Sequence, residues 1–121
     1  RWRQQINENS KMLCWHHIYP EMNHNELVGW TGGDNRVAVI TLRTEDDHVR
    51  SQMRMEICKK FIGEKCDTQI EVFAKGSSRI QRAYYLIHFG DWLSIDLAEL
   101  RNEDATAIPA IIFLKNALAN Q

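Results

Sequence analysis

Cysteines and long apolar runs are scarce in this sequence, and each scarcity excludes a class of protein. No run of about 18 apolar residues occurs, so no segment is predicted to span a membrane. Nothing resembles a signal peptide. The three cysteines, Cys14, Cys58 and Cys66, are an odd number. They favour free thiols in a reducing compartment over a disulfide framework, which predicts an intracellular protein of the cytoplasm or nucleus.

A surplus of charge of either sign is also absent, because 15 Lys and Arg stand against 16 Asp and Glu. The chain therefore lacks the overall basic footprint of many nucleic-acid-binding domains. One local patch is basic, since no acid lies between Glu71 and Asp91, and this stretch holds Lys75, Arg79 and Arg82. On charge alone, such a patch is typical of a solvated loop.

Motifs for catalysis, nucleotide binding and metal binding do not stand out. The segment CWHHIYPEMNH holds a cysteine and several histidines, but it lacks a C-x-x-C pair and has no second matching cluster. The glycine-rich GWTGGD precedes a predicted strand and does not open a helix, so it is no phosphate loop. No nucleophile has an evident base beside it. We therefore expect a protein that is not an enzyme and that uses no metal and no cofactor.

The length of 121 residues predicts one domain with an extension. Because the first residue is Arg1 and not Met, the chain is expected to be a piece of a longer protein. Residues 1–18 are predicted to be helical and Pro20 to end them, which gives an N-terminal helical extension over 1–35. The domain proper is predicted over 36–121. At least one tryptophan of the extension is expected to pack on the folded domain: Trp2, Trp15 or Trp30.

Periodicity over the domain predicts the order strand, helix, strand, strand, helix, strand. The predicted strands are 36–43, 68–74, 80–89 and 108–115, and the first helix is 45–62. That helix rests on apolar residues that recur every four positions: Val49, Met53, Ile57 and Phe61. The two middle strands alternate in polarity and are expected to form an antiparallel hairpin. After Asp91, a helix and a hairpin into the strand WLSIDL are both compatible with the pattern, and the helix is favoured.

This order of elements over residues 36–115, together with the octamer RAYYLIHF at 82–89, resembles the RNA recognition motif family. The third strand of that family carries an octamer of the form K/R-G-F/Y-G/A-F-V-x-F/Y. The matching positions are Arg82, Tyr84, Ile87 and Phe89, and the departures are Tyr85 and Leu86. The family's first-strand hexamer corresponds to 37–42, with Ala38 where an aromatic is expected. The resemblance implies an α+β fold with a four-stranded antiparallel sheet and two helices on one face, as in ferredoxin-like domains.

The resemblance also implies a function, namely binding of single-stranded RNA on the sheet face. In the family, the first octamer residue contacts phosphate and aromatic rings of the sheet stack on bases. Arg82 would then contact phosphate and Tyr84 would stack on a base. The full set of predicted contacts is Lys75, Arg79, Arg82, Tyr84, Phe73, His88 and Ile40. The alternative is a protein–protein interaction module with the same fold, whose apolar sheet face is covered by a partner or by its own extension.

Overall fold

The computed structural model describes residues 1–120, which form five α-helices and two β-strands. The elements are α1 (Trp2–Ser10), α2 (Glu26–Gly29), β1 (Val39–Arg43), α3 (Val49–Gly63), β2 (Gln69–Phe73), α4 (Arg79–Leu100) and α5 (Pro109–Ala119). The chain divides into two compact units. Unit 1 holds Arg1–Trp15 and the chain from Ile87 onward, and unit 2 holds His16–Leu86. Within the described part, none of the helices combines the length and apolar character that a membrane crossing requires.

Unit 2 is built on a parallel pair of strands. β1 and β2 run in the same direction, with Val39 opposite Gln69 and Arg43 opposite Phe73. The β-branched run Val39–Thr41 favours an extended chain. α3 lies between the two strands in the sequence, and a helical crossover of this kind is how a chain joins parallel neighbours. The sheet formed by residues 1–120 has two strands, so the predicted four-stranded antiparallel sheet is wrong.

α3 was predicted correctly as a helix, but the face that it buries is a different one. His48 caps its start, since its Nδ1 accepts from the backbone N–H of Arg50 (3.2 Å). The buried side chains of α3 are Met55, Cys58 and Ile62. Of these, Cys58 and Ile62 form a core with Met22 and Cys66, against which Tyr19, Leu27, Trp30, Val37 and Val39 pack. Three members of the predicted stripe are instead exposed: Val49, Met53 and Ile57 at 62%, 57% and 65%.

α4 replaces the predicted hairpin. Residues 80–89, expected to be a strand, lie inside a helix of 22 residues. Its start is a capping box, in which Ser78 Oγ accepts from the N–H of Gln81 (3.2 Å) and Gln81 Oε1 accepts from the N–H of Ser78 (3.1 Å). The antiparallel pairing of 68–74 with 80–89 is therefore wrong. The helix favoured after Asp91 is confirmed as the second half of α4.

In unit 1, the structure contradicts two of the predictions made from the sequence and confirms a third. The strand predicted over 108–115 is wrong, because α5 begins at Pro109, a residue that suits the first helical turn. The helix predicted over 1–18 ends at Ser10. The expectation that an N-terminal tryptophan packs on the fold is confirmed, since the rings of Trp2 and Phe89 stack with centroids 5.8 Å apart. The boundary predicted at residue 35, between an extension and a domain, stays a prediction.

Candidate functional site

Buried neutral side chains form hydrogen bonds between α1 and α4. Ser10 and Ser94 are both 0% exposed. Ser10 Oγ donates to the carbonyl oxygen of Ser94 (2.7 Å), and Asn9 Nδ2 donates to Ser94 Oγ (2.9 Å). Ser94 Oγ in turn donates to the carbonyl oxygen of Asp91 (2.7 Å). Because each of these donors finds an acceptor, the network holds the last turn of α1 in one position.

Asn7 and Lys11 fix that turn from its two ends. Asn7 Nδ2 donates to the carbonyl oxygen of Cys14 (2.8 Å), which lies beyond the end of the helix. Lys11 adopts a left-handed conformation with φ of 52°. Its Nζ donates to the carbonyl oxygens of Glu8 (2.8 Å) and Asp104 (2.9 Å). The bond to Glu8 supplies a partner for one of the carbonyl groups that a helix leaves unpaired at its C-terminal end, and the other two tie this turn to the chain beyond it.

Glu8 is the acidic residue inside this immobilised turn. Its side chain is exposed, and the ion pairs formed by residues 1–120 do not include it. Both of its neighbours, Asn7 and Asn9, make the side-chain hydrogen bonds described above. A carboxylate on a fixed stretch of backbone can accept a proton from a bound molecule as a general base. Glu8 is therefore the candidate catalytic side chain of unit 1.

Asp91, the acid of α4 closest to this network, already accepts hydrogen bonds from two side chains. Its Oδ1 accepts from Arg1 Nε (3.0 Å) and from Gln5 Nε2 (3.0 Å), and its Oδ2 accepts from Arg1 Nη2 (3.1 Å). The hydrogen bond from Arg1 is the main reason why the pKa of Asp91 lies below its usual value of 3.8. Asp91 thus remains ionised and anchors the first turn of α1.

In unit 2, the basic loop after β2 is tied to the loop after β1. Arg82 Nη1 donates to Glu45 Oε1 (2.6 Å) and to the carbonyl oxygen of Gly76 (2.8 Å). Its Nε and Nη2 donate to Asp46 Oδ2 at 3.0 and 2.5 Å. The Arg82 side chain is only 7% exposed, whereas that of Arg79, 3.8 Å from the same carboxylate, is 86% exposed. Parallel α/β sheets bind ligands at the carboxyl ends of their strands. In unit 2, the ion pairs of Arg82 with Glu45 and Asp46 occupy that edge of the sheet.

The backbone N–H groups at the start of α4 also have hydrogen-bond acceptors. Gln81 Oε1 accepts from the backbone N–H groups of Ser77 (2.8 Å) and Ser78 (3.1 Å). Backbone N–H groups at a helix start are those that would otherwise hold an anion such as phosphate. A phosphate at this position would have to displace the Gln81 side chain.

The predicted RNA contacts do not lie on one sheet. Ile40 lies on β1 and Phe73 on β2, where the guanidinium of Arg43 sits 5.2 Å from the Phe73 ring centroid. Tyr84 and His88 lie on α4, and Tyr84 is 68% exposed. The remaining three, in the loop and first turn of α4, are Lys75, Arg79 and Arg82. The predicted sheet face is wrong because the stretch that holds Tyr84 is helical, and the predicted exposure of Arg82 is wrong because its charge is paired in the interior.

Sequence reasoning missed Glu8, although the segment NENSK contains a usable signal. Ile6 and Ser10 are spaced by four residues and are both buried on α1. A serine on the apolar face of a helix has to find a hydrogen-bond partner when it is buried. Together with the flanking asparagines, it indicates a polar network at this turn and so directs attention to the acid within it.

The fold places the chain among α/β domains, and Glu8 carries an exposed carboxylate on a fixed stretch of backbone, which suits it to proton transfer. Residues 1–120 contain no grouping of three or more His, Cys, Asp and Glu side chains that could hold a metal ion. The profile of the family described as bacterial phospho-glucose isomerase C-terminal SIS domain matches residues 1–118. The chain therefore belongs to that family.

Curated relatives match nearly the whole chain. A bifunctional phosphoglucose/phosphomannose isomerase of Aquifex aeolicus is 38% identical over 120 residues, which cover 98% of this chain and 38% of the relative. The protein of the same name from Caldicellulosiruptor bescii is 36% identical over 122 residues, covering 98% and 36%. That of Thermoplasma acidophilum is 33% identical over 119 residues, covering 98% and 37%. The chain thus spans a little over a third of the length of these relatives.

These findings overturn the functional expectations drawn from the sequence. The chain belongs to an isomerase domain family and not to the RNA recognition motif family, so neither RNA binding nor an interaction module of that fold is supported. The expectation of a protein that is not an enzyme is contradicted as well, because the relatives are named as isomerases. Single-stranded RNA is no longer the expected partner. That the seven predicted residues contact a ligand stays a prediction, but the ligand is no longer expected to be RNA.

Proposed function

We propose that this chain is the C-terminal SIS domain of an enzyme that isomerises hexose phosphates. The observation that carries the proposal is the match of the family profile over residues 1–118. It is supported by relatives that align over 98% of the chain and are named bifunctional phosphoglucose/phosphomannose isomerases. Because the chain spans a little over a third of those relatives, the activity is proposed for the longer polypeptide that contains it.

One reaction accounts for both sugars in that name. Glucose and mannose differ only in configuration at C2, and removal of the C2 proton from either open-chain aldehyde gives the same enediol. A base that takes this proton and returns it to C1 produces the phosphorylated ketose, while a second proton moves from the C2 hydroxyl to the oxygen on C1. A single carboxylate that reaches C1 and C2 from one face therefore suffices for the transfer between the two carbons, provided that each sugar is held with its C2–H turned toward that carboxylate.

We assign the role of this base to Glu8. Its backbone is held by the Ser10–Ser94 network and by the Lys11 bridge, and its carboxylate is exposed. A base has to lie within hydrogen-bond reach of the proton that it removes, so a fixed position is the first requirement. Asp91 is less suited to this role, because its two oxygens already accept bonds from Arg1 and Gln5 and are not available to a substrate.

The phosphate of the substrate is proposed to bind to a part of the enzyme outside this chain. The basic loop at the start of α4 is the natural candidate within the chain, but Arg82 is paired with Glu45 and Asp46. The N–H groups of Ser77 and Ser78 already donate to Gln81. The remaining length of the relatives leaves ample chain for a phosphate site.

An intracellular location is part of the same proposal. All three cysteines are free thiols, and two of them, Cys58 and Cys66, are buried in unit 2. Free thiols are typical of proteins that work in a reducing compartment, and a phosphorylated sugar is a substrate expected inside the cell.

The test measures isomerase activity in the longer polypeptide and in its Glu8→Gln variant. The substrates are the 6-phosphates of glucose, mannose and fructose. Glu8→Gln keeps the size of the side chain but removes its capacity to accept a proton. We expect kcat to fall by at least about 100-fold for glucose and mannose phosphate alike, with KM changed by only a few fold.

The matched control is Glu99→Gln, which changes an exposed acid of α4 in the same unit and should leave kcat unchanged. Absence of isomerase activity in the parent polypeptide would overturn the proposed function. Full activity in the Glu8→Gln variant would leave the function standing and overturn the assignment of the base.

A further inference from the structure

α5 is a strongly apolar helix that is exposed over its whole length. None of its residues is buried. Its large apolar side chains have these exposed fractions: Ile111 41%, Ile112 52%, Phe113 75%, Leu114 56% and Leu118 61%. Lys115 is its one charged residue. Surface patches of this kind mark an interface with another protein segment.

The apolar residues of α5 surround the helix. Ile111, Ile112, Phe113 and Leu114 are consecutive, and each residue of an α-helix is rotated by about 100° from the one before. Their side chains therefore point to all sides, and not along the single stripe of a helix that rests on one surface. A helix that is apolar all round is normally enclosed.

The short length of α5 leads to the same conclusion. It has 11 residues, and isolated helices shorter than about 12–15 residues are marginal in water. Helices of this size obtain their stability from the burial of an apolar face. Since α5 buries none of its residues in the described chain, that stabilisation has to come from another segment.

We propose that α5 docks into the part of the longer polypeptide that precedes this chain, a proposal that rests on the proposed function. The matched family is a C-terminal domain, and the chain covers only 38% of the Aquifex aeolicus relative, so most of such a protein lies outside it. A segment of that size can form a groove that encloses several sides of one helix. α5 then serves as the connection that fixes this domain against the rest of the enzyme.

A second copy of the chain is a less suitable occupant. A two-fold contact between two α5 helices covers one side of each and leaves the other apolar sides in water. If the covered side includes Lys115, the contact also brings two like charges into an interface to which α5 contributes no acidic residue. Like charges without acidic partners disfavour such a contact.

The experiment compares amide hydrogen exchange of residues 110–119 in the longer polypeptide and in the isolated 121-residue chain. We expect at least about tenfold slower exchange of these amides in the longer polypeptide, because docking has to open before they exchange. Phe113→Gln should abolish most of this protection. The control is Val28→Gln in unit 2, which changes another exposed apolar residue (67% exposed) outside α5 and should leave the protection of α5 intact.

Sedimentation of the isolated chain and isomerase assays on the same samples complete the test. Equal exchange in the two proteins would overturn the docking proposal. So would an isolated chain that dimerises and becomes monomeric with Phe113→Gln, because a second copy would then cover α5. Protection of α5 in a longer polypeptide without isomerase activity would contradict the proposed function and support the docking.

Discussion

Within residues 1–120, each of the two compact units is stabilised by its own kind of internal contact. In unit 2, buried arginines bridge acidic residues: Arg43 joins Glu56 and Glu71, and Arg82 joins Glu45 and Asp46. In unit 1, the central contacts are neutral hydrogen bonds among serines and asparagines, with the ion pair of Arg1 and Asp91 at one end.

The two kinds of contact respond differently to salt and pH. Ion pairs lose strength in salt and change with pH, whereas bonds between neutral groups are insensitive to both. The turn that carries Glu8 therefore keeps its geometry over a wide range of conditions. In unit 2, the charges join the loops that follow the two parallel strands, and they should make its stability depend on the solvent.

The largest expected effect is that of Arg82→Met, which removes the bridge between the two loops of unit 2. We expect a loss of about 2 kcal/mol in the free energy of unfolding, because several hydrogen bonds to charged groups disappear. The loss stays below that of a fully buried pair, since Glu45 is 73% exposed and water can solvate it. Urea unfolding of the 121-residue chain, followed by circular dichroism, measures the difference.

Arg79→Met is the matched control for that change. Both arginines contact Asp46, but the Arg79 side chain is 86% exposed and its contact is 3.8 Å long. Exposed pairs of this kind contribute about 0–1 kcal/mol. Equal losses for the two variants would show that the burial of Arg82 has no energetic consequence.

Ser94→Ala should have the next largest effect and should sharpen the contrast between the units. The substitution deprives Asn9 Nδ2 of its acceptor and removes the bond to the Asp91 carbonyl oxygen. We expect a loss of about 1–2 kcal/mol, since two hydrogen bonds are lost and the partly buried Asn9 amide is left without its acceptor. The loss should be the same at low and high salt, unlike that of Arg82→Met. A strong salt dependence of the Ser94→Ala effect would contradict the neutral character assigned to this network.

The same contrast explains which elements could be predicted from the sequence. β1, α3 and β2 were predicted within a few residues of their observed bounds, because their ends carry turn residues and their composition agrees with their structure. α4 was missed because its stretch 80–89 alternates in polarity as a strand does. Its buried positions in unit 1 are small residues spaced by four, Gly90, Ser94 and Ala98, and hydrophobicity does not reveal them.

Side-chain roles were harder to predict than elements. Arg82 belongs to a basic stretch of the sequence, and only the fold shows that Glu45 and Asp46 reach it from 37 and 36 residues away. Glu8 was missed for the opposite reason, because an exposed acid on a helix is ordinary in a sequence. What distinguishes it is the network around Ser94, whose partners Ser10 and Asn9 lie 84 and 85 residues away in the chain. Long-range hydrogen bonds of this kind leave no periodic pattern.

The smallest expected effect concerns pH and Glu71, an acid of the charged network in unit 2. Hydrogen bonds from Lys59, first, and from Arg43 hold the pKa of Glu71 below its usual value of 4.5. Because the folded-state pKa is the lower one, the network contributes its full stability above the unfolded pKa and loses it as the pH falls through the folded value. Wild type should exceed Glu71→Gln by about 1 kcal/mol at neutral pH, and this gap should close as the pH falls below 4.5 and through the lower folded-state pKa. Unfolding by urea at a series of pH values measures the gap, with the exposed Glu64→Gln as the control that shows none. A gap of constant size from neutral to acidic pH would mean that the ionisation of Glu71 does not support unit 2.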